Sequence, residues 1–295
     1  MSKRFHYESL FHNDSFKERE DLLIHKIIEK VDFVAEQLDQ RFQFQAKAYK
    51  KQFPLLMSGL WNGSAALSQD DTIESVINQG TLGIGFIGLA ECLVAVFGAH
   101  HGESPEIQEI GLHIAKAMFD RAGELSLQYN HNYSILATPA EGLSGRFTKI
   151  DRAKYGIIKG VTDREFYTNS NHVPVHYKCT AKHKAEVECP YHDYTRGGHI
   201  FYVEQDGDPT NNPEAIMAVG DMLHYYNGGY CSINFNQNIC YNCGHEWNGH
   251  DKECPVCRSK DIDTLQRITG YLVGTTKRWN PGKLSELKER ATHNI

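Results

Sequence analysis

Residues 16–53 are highly charged, yet Leu23, Ile24, Ile27, Ile28, Val31, Phe33, Val34 and Leu38 recur among the charges at steps of three, four and seven. That spacing gathers the apolar side chains along one side and predicts a long amphipathic helix. A glycine-rich apolar run, Thr81-Leu82-Gly83-Ile84-Gly85-Phe86-Ile87-Gly88-Leu89, follows and leads into a helix predicted over 90–97. Ser104-Pro105 opens another helix, with serine as the capping residue and proline in the first turn. Ile107, Ile110, Ile114 and Met118 carry it towards Gln128. A β-like run at 133–137 enters the loop 138–147, Thr-Pro-Ala-Glu-Gly-Leu-Ser-Gly-Arg-Phe. From 151 to 212 the pattern reads as loops and short strands, clearest at 199–204. Asn211-Asn212-Pro213 then caps a helix to about Tyr226, residues 229–234 read as a buried strand, and the charged tail from Lys283 reads as helical.

Gly83, Gly85 and Gly88 spell Gly-x-Gly-x-x-Gly. A dinucleotide site would need an apolar strand before that motif and an acidic residue after it, and neither is visible. Close backbone packing is the simpler reading. With 295 residues, 40% of them hydrophobic, the chain can bury a substantial core as one large domain or two. A net charge of −6 gives no general attraction to nucleic acid or to an anionic membrane surface. No 18-residue apolar run suggests a membrane span, mean hydropathy is −0.50, and the N-terminal segment lacks the apolar core of a signal peptide. The expected compartment is the cytoplasm.

Cysteine usage changes the picture. Cys240 and Cys243, then Cys254 and Cys257, form two C-x-x-C pairs with ten residues between Cys243 and Cys254. Two such knuckles facing each other offer four thiolates in a tetrahedron, which suits a structural Zn²⁺ rather than a catalytic one, because no coordination position stays open. His245 and His250 lie between the pairs, but the four cysteines already fill the shell. A redox pair would not need the second C-x-x-C, and the module around Trp247 is not basic enough for a nucleic-acid binder. Cys92 and Cys231 read as small buried apolar groups. Cys179 and Cys189, in a polar stretch, are either bystanders or a redox or second metal pair.

Shortly after the second knuckle comes Arg267-Ile268-Thr269-Gly270-Tyr271-Leu272. A backbone radical is delocalised only if the Cα can flatten, and glycine has no Cβ to oppose that. Gly270 is thus either a radical store or an ordinary loop glycine. The four-cysteine knuckle followed by R-x-x-G-Y-L resembles the C-terminal end of the anaerobic, glycyl-radical (class III) ribonucleoside-triphosphate reductases. Further segments are similar to that family: 81–88, 134–147, Thr162-Asp163-Arg164-Glu165-Phe166-Tyr167-Thr168-Asn169-Ser170, and Gly197-Gly198-His199-Ile200, so the likeness covers roughly 15–295.

The resemblance implies an α/β fold: the second half of a ten-stranded barrel with surrounding helices (1–236), a zinc knuckle (237–263), and a radical loop with C-terminal tail (264–295). It implies anaerobic reduction of ribonucleoside triphosphates to deoxyribonucleotides for DNA replication, with the radical on Gly270. Installation would fall to a radical-SAM activase carrying a 4Fe–4S cluster and S-adenosylmethionine, with formate or a dithiol as reductant. Free amides in the loop 138–147 would suit a substrate triphosphate, with Thr138, Ala140, Ser144 and Asn169 as the binding residues; a plain strand–helix turn is the alternative. Family members are longer, and the cysteine that becomes the thiyl radical has no counterpart here. The expectation is therefore a C-terminal half that needs an N-terminal half, within an enzyme that is a homodimer. Two other readings remain: a stand-alone glycyl-radical spare part, and a non-catalytic zinc-ribbon interaction protein.

Overall fold

The computed structural model describes residues 15–205, 208–267 and 272–293. Helix α1 (Phe16–Ala46) starts with a capping box: Ser15 Oγ accepts from the Glu18 N–H at 3.3 Å, and Glu18 Oε2 accepts from the Ser15 N–H at 2.7 Å. It buries Val31, Ala35, Phe42 and Ala46. The amphipathic pattern suggested a longer helix, but the next residues pair elsewhere. Lys50 N–H donates to Asp71 O and Ile73 N–H to Ala48 O, both at 3.0 Å, so the chain folds back around a small cluster of Leu56, Ile73 and Val76.

Strand β1 (Thr81–Phe86), α2 (Leu89–Phe97), α3 (Pro105–Tyr129) and β2 (Asn132–Ala137) form one crossover unit, because β1 and β2 pair in parallel from Thr81↔Asn132 to Phe86↔Ala137. Ile84 and Ile135 meet Leu93, Ile110, Ile114 and Val31 of α1 in the main core. Gly83 and Gly85 lie inside β1 and Gly88 caps α2 at φ +74°. The glycine motif is therefore strand and cap rather than a phosphate turn, as its lack of a preceding strand implied. Ser104 does occupy the N-cap of α3, yet its side chain makes no capping hydrogen bond.

After α4 (Leu143–Tyr155) comes α5 (Ala181–Glu188), a helix that the sequence pattern did not reveal. Its composition, Ala-Lys-His-Lys-Ala-Glu-Val-Glu, has no apolar stripe, and Thr180 Oγ1 caps it by accepting from the His183 N–H at 3.1 Å. Strand β3 (Phe201–Glu204), α6 (Pro213–Tyr225) and β4 (Cys231–Asn234) repeat the crossover, with β3 parallel to β4. Asn212 Oδ1 caps α6 as expected. Cys231, Ser232 and Ile233 are only half-buried, so β4 is less enclosed than its sequence suggests.

One stretch joins the two sheets. Gly197 N–H donates to Ile135 O at 2.8 Å and Ala137 N–H to Gly198 O at 2.9 Å, with Gly198 bridged in parallel to Leu136. Four residues on, the same stretch is β3. Residues 197–204 thus touch β2 at Gly198 and pair with β4 from Phe201, an isolated parallel bridge linking two two-stranded parallel sheets, β1–β2 and β3–β4. Glycine is needed at the bend: a Cβ on Gly197 would lie 2.8 Å from Ile135 O, and Gly198 sits at φ +143°. The C-terminal part is an antiparallel sheet in the order β6, β5, β7, β8, built from β5 (Gln237–Cys240), β6 (Glu246–Asn248), β7 (Ile262–Arg267) and β8 (Leu272–Thr275). Helix α7 (Pro281–Glu289) closes the described chain. The fold class is α/β, as the sequence implied.

Candidate metal centre and substrate loop

The two cysteine knuckles are built alike. Strand β5 delivers Cys240, whose C=O accepts from the Gly244 N–H at 2.9 Å; Cys254 C=O accepts from the Arg258 N–H at 2.9 Å. Both turns need a left-handed residue, Gly244 at φ +73° and Arg258 at φ +58°. Cys240 and Cys254 are fully buried. The four Sγ atoms lie within 4.8 Å of one another, with Cys240–Cys257 at 3.5 Å and Cys243–Cys254 at 3.6 Å. A tetrahedron with metal–sulfur bonds of about 2.3 Å has sulfur–sulfur edges of about 3.8 Å, so the cage fits. Asn242 Nδ2, 3.5 Å from Cys257 Sγ, and the Ser259 backbone N–H lower that thiol, whereas contacts with the other three sulfurs raise Cys243, so the four thiols share their protons.

His245 stacks on Trp247 and His250 pairs with Asn236, so neither enters the cage. Among the described residues no other group of three or more His, Cys, Asp or Glu could hold a metal. Cys189 does not share a polar loop with Cys179. It ends α5 inside the cluster with Phe201, Val203 and Leu223, where burial pushes its thiol up to about 12. Burial raises Cys92 and Cys179 to about 11 as well.

Of the four residues expected to line a substrate loop, Thr138, Ala140 and Ser144 lie along the 138–144 segment, and Asn169 meets it at Ala140. Asn169 Oδ1 accepts from the Ala140 N–H at 3.0 Å, so this amide is already used. Ser144, in the first turn of α4, is fully buried and its Oγ has no hydrogen-bond partner among the described residues. Thr138 packs against β1, where a Cβ on Gly85 would lie only 1.9 Å from Thr138 Oγ1. Thr168, before Asn169, is pinned by Glu91: Oε1 accepts from the Thr168 N–H at 2.9 Å and from its hydroxyl at 2.7 Å. Burial raises the Glu91 carboxyl above its usual range, opposed by those two hydrogen bonds.

Charged groups of the tail from Lys283, which the sequence read as helical, lie beside Asn169. Lys283 is fully buried against Glu286, and Glu286 Oε1 accepts from Arg290 Nη2 at 3.0 Å. Burial alone would raise the Glu286 carboxyl, but the Lys283 ammonium and the Arg290 guanidinium outweigh it and hold it below the usual carboxylate range. The i, i+3, i+7 spacing of these three residues marks one helix face, and nothing local tells whether that face is buried. Behind Asn169 lies a cavity of about 40 Å³, lined by His172, Lys184, Tyr202, Glu286 and His293. Next to it Glu188 is wholly buried, accepting from Lys184 Nζ at 2.6 Å and the Val173 N–H at 2.8 Å, and lying 2.8 Å from His172 Nδ1. Gly270 lies outside the described residues, between the end of β7 and the start of β8.

Known proteins resemble this chain in sequence and in fold. The enzyme of Salmonella typhimurium called anaerobic ribonucleoside-triphosphate reductase is 31% identical over 238 residues, which cover 77% of this chain and 33% of the relative. That of phage T4, with the same name, is 33% identical over 237 residues, covering 77% and 37%. The chain thus spans about a third of the length of the curated relatives it matches. Among solved structures, an anaerobic ribonucleotide reductase superposes with a TM-score of 0.75 at 18% identity, over 94% of this chain and 42% of that one. The Thermotoga maritima enzyme in complex with dATP and CTP gives 0.67 at 17% identity, over 90% and 41%. Because the family model for anaerobic ribonucleoside-triphosphate reductase matches residues 13–293, nearly the whole chain, the chain belongs to that family.

Proposed function

We propose that this chain carries the glycyl-radical half of an anaerobic ribonucleoside-triphosphate reductase, with Gly270 as the radical store. The observation that carries the reading is the position of the cage. Its sheet sends out β7, which ends at Arg267, and takes back β8 from Leu272, so two paired strands flank the segment containing Gly270. Arg290 Nη1 donates to Arg267 O at 3.2 Å and ties the first strand to α7. Zn²⁺ in the four-thiolate cage would be architectural, adding folding free energy to the sheet that holds the strands.

In this reading residues 1–236 form half of a ten-stranded barrel, 237–263 the zinc knuckle, and 264–295 the radical loop and tail. The two parallel pairs, β1–β2 and β3–β4, bridged at Leu136 and Gly198, with helices against one face of β1–β2 and the exposed Gly83 and Gly85 on the other, support the half-barrel. A radical-SAM activase removes one hydrogen atom from the Gly270 Cα, leaving the electron delocalised over the adjoining peptide groups. The thiyl cysteine comes from sequence other than this chain, because none of the eight cysteines here matches the family's thiyl position. Formate or a dithiol supplies the electrons. The substrate is a ribonucleoside triphosphate whose phosphates meet the loop 138–144 and the first turn of α4, with Thr138, Ala140, Ser144 and Asn169 shaping the site. Ser144 Oγ, buried and unpartnered, is the group that a phosphate oxygen would satisfy. The working enzyme is a cytoplasmic homodimer.

Anaerobic EPR spectroscopy tests the assignment. After incubation with a radical-SAM activase, the chain should give a carbon-centred doublet that Gly270→Ala lacks. A silent wild-type chain, beside a family enzyme that the same activase does convert, overturns the assignment.

A further inference from the structure

We infer that α7 is a brace for the loop 138–144, with Asn169 as the positioning residue that couples the two. The residues that α7 buries are Gly282, Lys283 and Glu286; no apolar side chain is among them. A nine-residue helix is marginal by itself, so its order depends on docking. Here the docking contacts are directional polar ones and a backbone approach, and they lead to the loop.

Three contacts make the connection. A Cβ on Gly282 would meet Gly145 Cα at 3.1 Å, and one on Gly145 would meet Gly282 Cα at 3.3 Å, so α7 presses backbone to backbone on the first turn of α4. Asn280 serves both partners: its Oδ1 accepts from the Lys283 N–H at 3.0 Å, capping α7, while its Nδ2 donates to Glu141 O at 2.9 Å. Finally, Asn169 Nδ2 reaches Glu286 Oε2 at 3.4 Å while its Oδ1 holds the Ala140 N–H. Glu286, Asn169 and Ala140 are therefore links in one hydrogen-bonded path. An amide in that position cannot satisfy both ends unless α7 is seated. The consequence is that losing or unseating the segment after Gly270 removes a support of the loop 138–144.

Hydrogen exchange followed by mass spectrometry on the full chain tests this, comparing wild type with Gly282→Ala, Glu286→Gln and Asn169→Ala. The first two variants should speed exchange in peptides covering 138–146 by about ten-fold, while α3 and the zinc sheet keep their protection. Asn169→Ala should loosen α7 by a similar factor, since coupling between two sites is reciprocal. A loosened α7 beside an unchanged loop overturns the brace, and so does a loosened loop beside an unchanged α7 in Asn169→Ala. Should Glu286→Gln unfold α3 too, Gly282→Ala alone decides. A second arm rests on the proposed substrate site: CTP binding, measured by calorimetry, should weaken about ten-fold in Gly282→Ala. Wild-type chain that binds no CTP counts against the triphosphate site, whereas the exchange arm still decides the brace.

Discussion

Gly85 on β1 and Thr138 after β2 approach so closely that a methyl group on the glycine would lie 1.9 Å from Thr138 Oγ1 and 3.2 Å from its Cβ. The last parallel pair of the β1–β2 ladder, Phe86↔Ala137, lies beside this contact, so the strand pairing itself sets the position where the loop begins. Gly85→Ala should cost about 1–3 kcal/mol by overpacking and displace the loop. Thr138→Ala in the same chain should recover part of the loss, because the hydroxyl is the nearer obstacle. Denaturant midpoints of the two single variants and the double variant measure this coupling. Strict additivity would mean that the two residues do not meet.

The cage should bind one Zn²⁺ per chain. Cys254→Ser removes a fully buried ligand, so metal content should fall well below one equivalent and the sheet from β5 to β8 should become sensitive to protease. The main core around Ile84 and Ile135 should stay folded, since it makes no use of the cage. Elemental analysis under reducing, chelator-free conditions checks the stoichiometry. A fully loaded serine variant would remove Cys254 from the ligand set.

A radical on Gly270 predicts a specific injury in air. Dioxygen adds to the Cα radical, and the peroxyl species breaks the chain there, releasing the 25 residues after position 270 (295 − 270). That piece contains α7. Mass spectrometry of the activated chain after air exposure should find both fragments, and Gly270→Ala should yield neither. Cleavage that persists in the alanine variant would place the radical elsewhere.

Three buried histidines predict acid sensitivity. Burial lowers His101 and His293 to about 4; burial, with His199 stacked beside it, lowers His192 to about 3. An unfolded imidazole titrates near 6.5, so the unfolded chain takes up the protons first. The folded-state pKa is the lower one, hence stability is full above about 6.5 and falls as pH drops towards about 4. One unit below 6.5, each site takes roughly 1.4 kcal/mol from stability. Urea midpoints at pH 7.5 and 5.5 measure this, in the Cys254→Ser background so that metal-bound thiolates do not contribute. Equal midpoints would show that the three imidazoles are not held neutral.

The four-cysteine cluster and the cap of α6 were legible from residue spacing alone. A C-x-x-C pair needs only its own turn to form a knuckle, and Asn212 caps α6 through a contact three residues away; both are local facts. The parallel crossovers were not legible, because the glycine-rich run 81–86 carries no strand signature of its own and pairs only with residues about fifty positions away. Resemblance supplied the family, because the glycine segment and the knuckle lie close together in the chain. The tertiary structure decided which charged residues are buried. Lys283 and Glu286 lie in a charged tail read as helical, Glu188 in a stretch read as loops and short strands, and nothing in the sequence marks any of the three as buried. Burying a charge is favourable only where a partner already stands, and here the partners of Glu188 and Glu286 include His172 and Asn169, 16 and 117 residues away. Spacing along the sequence carries no record of such distant partners, whereas the fold brings them within hydrogen-bond reach.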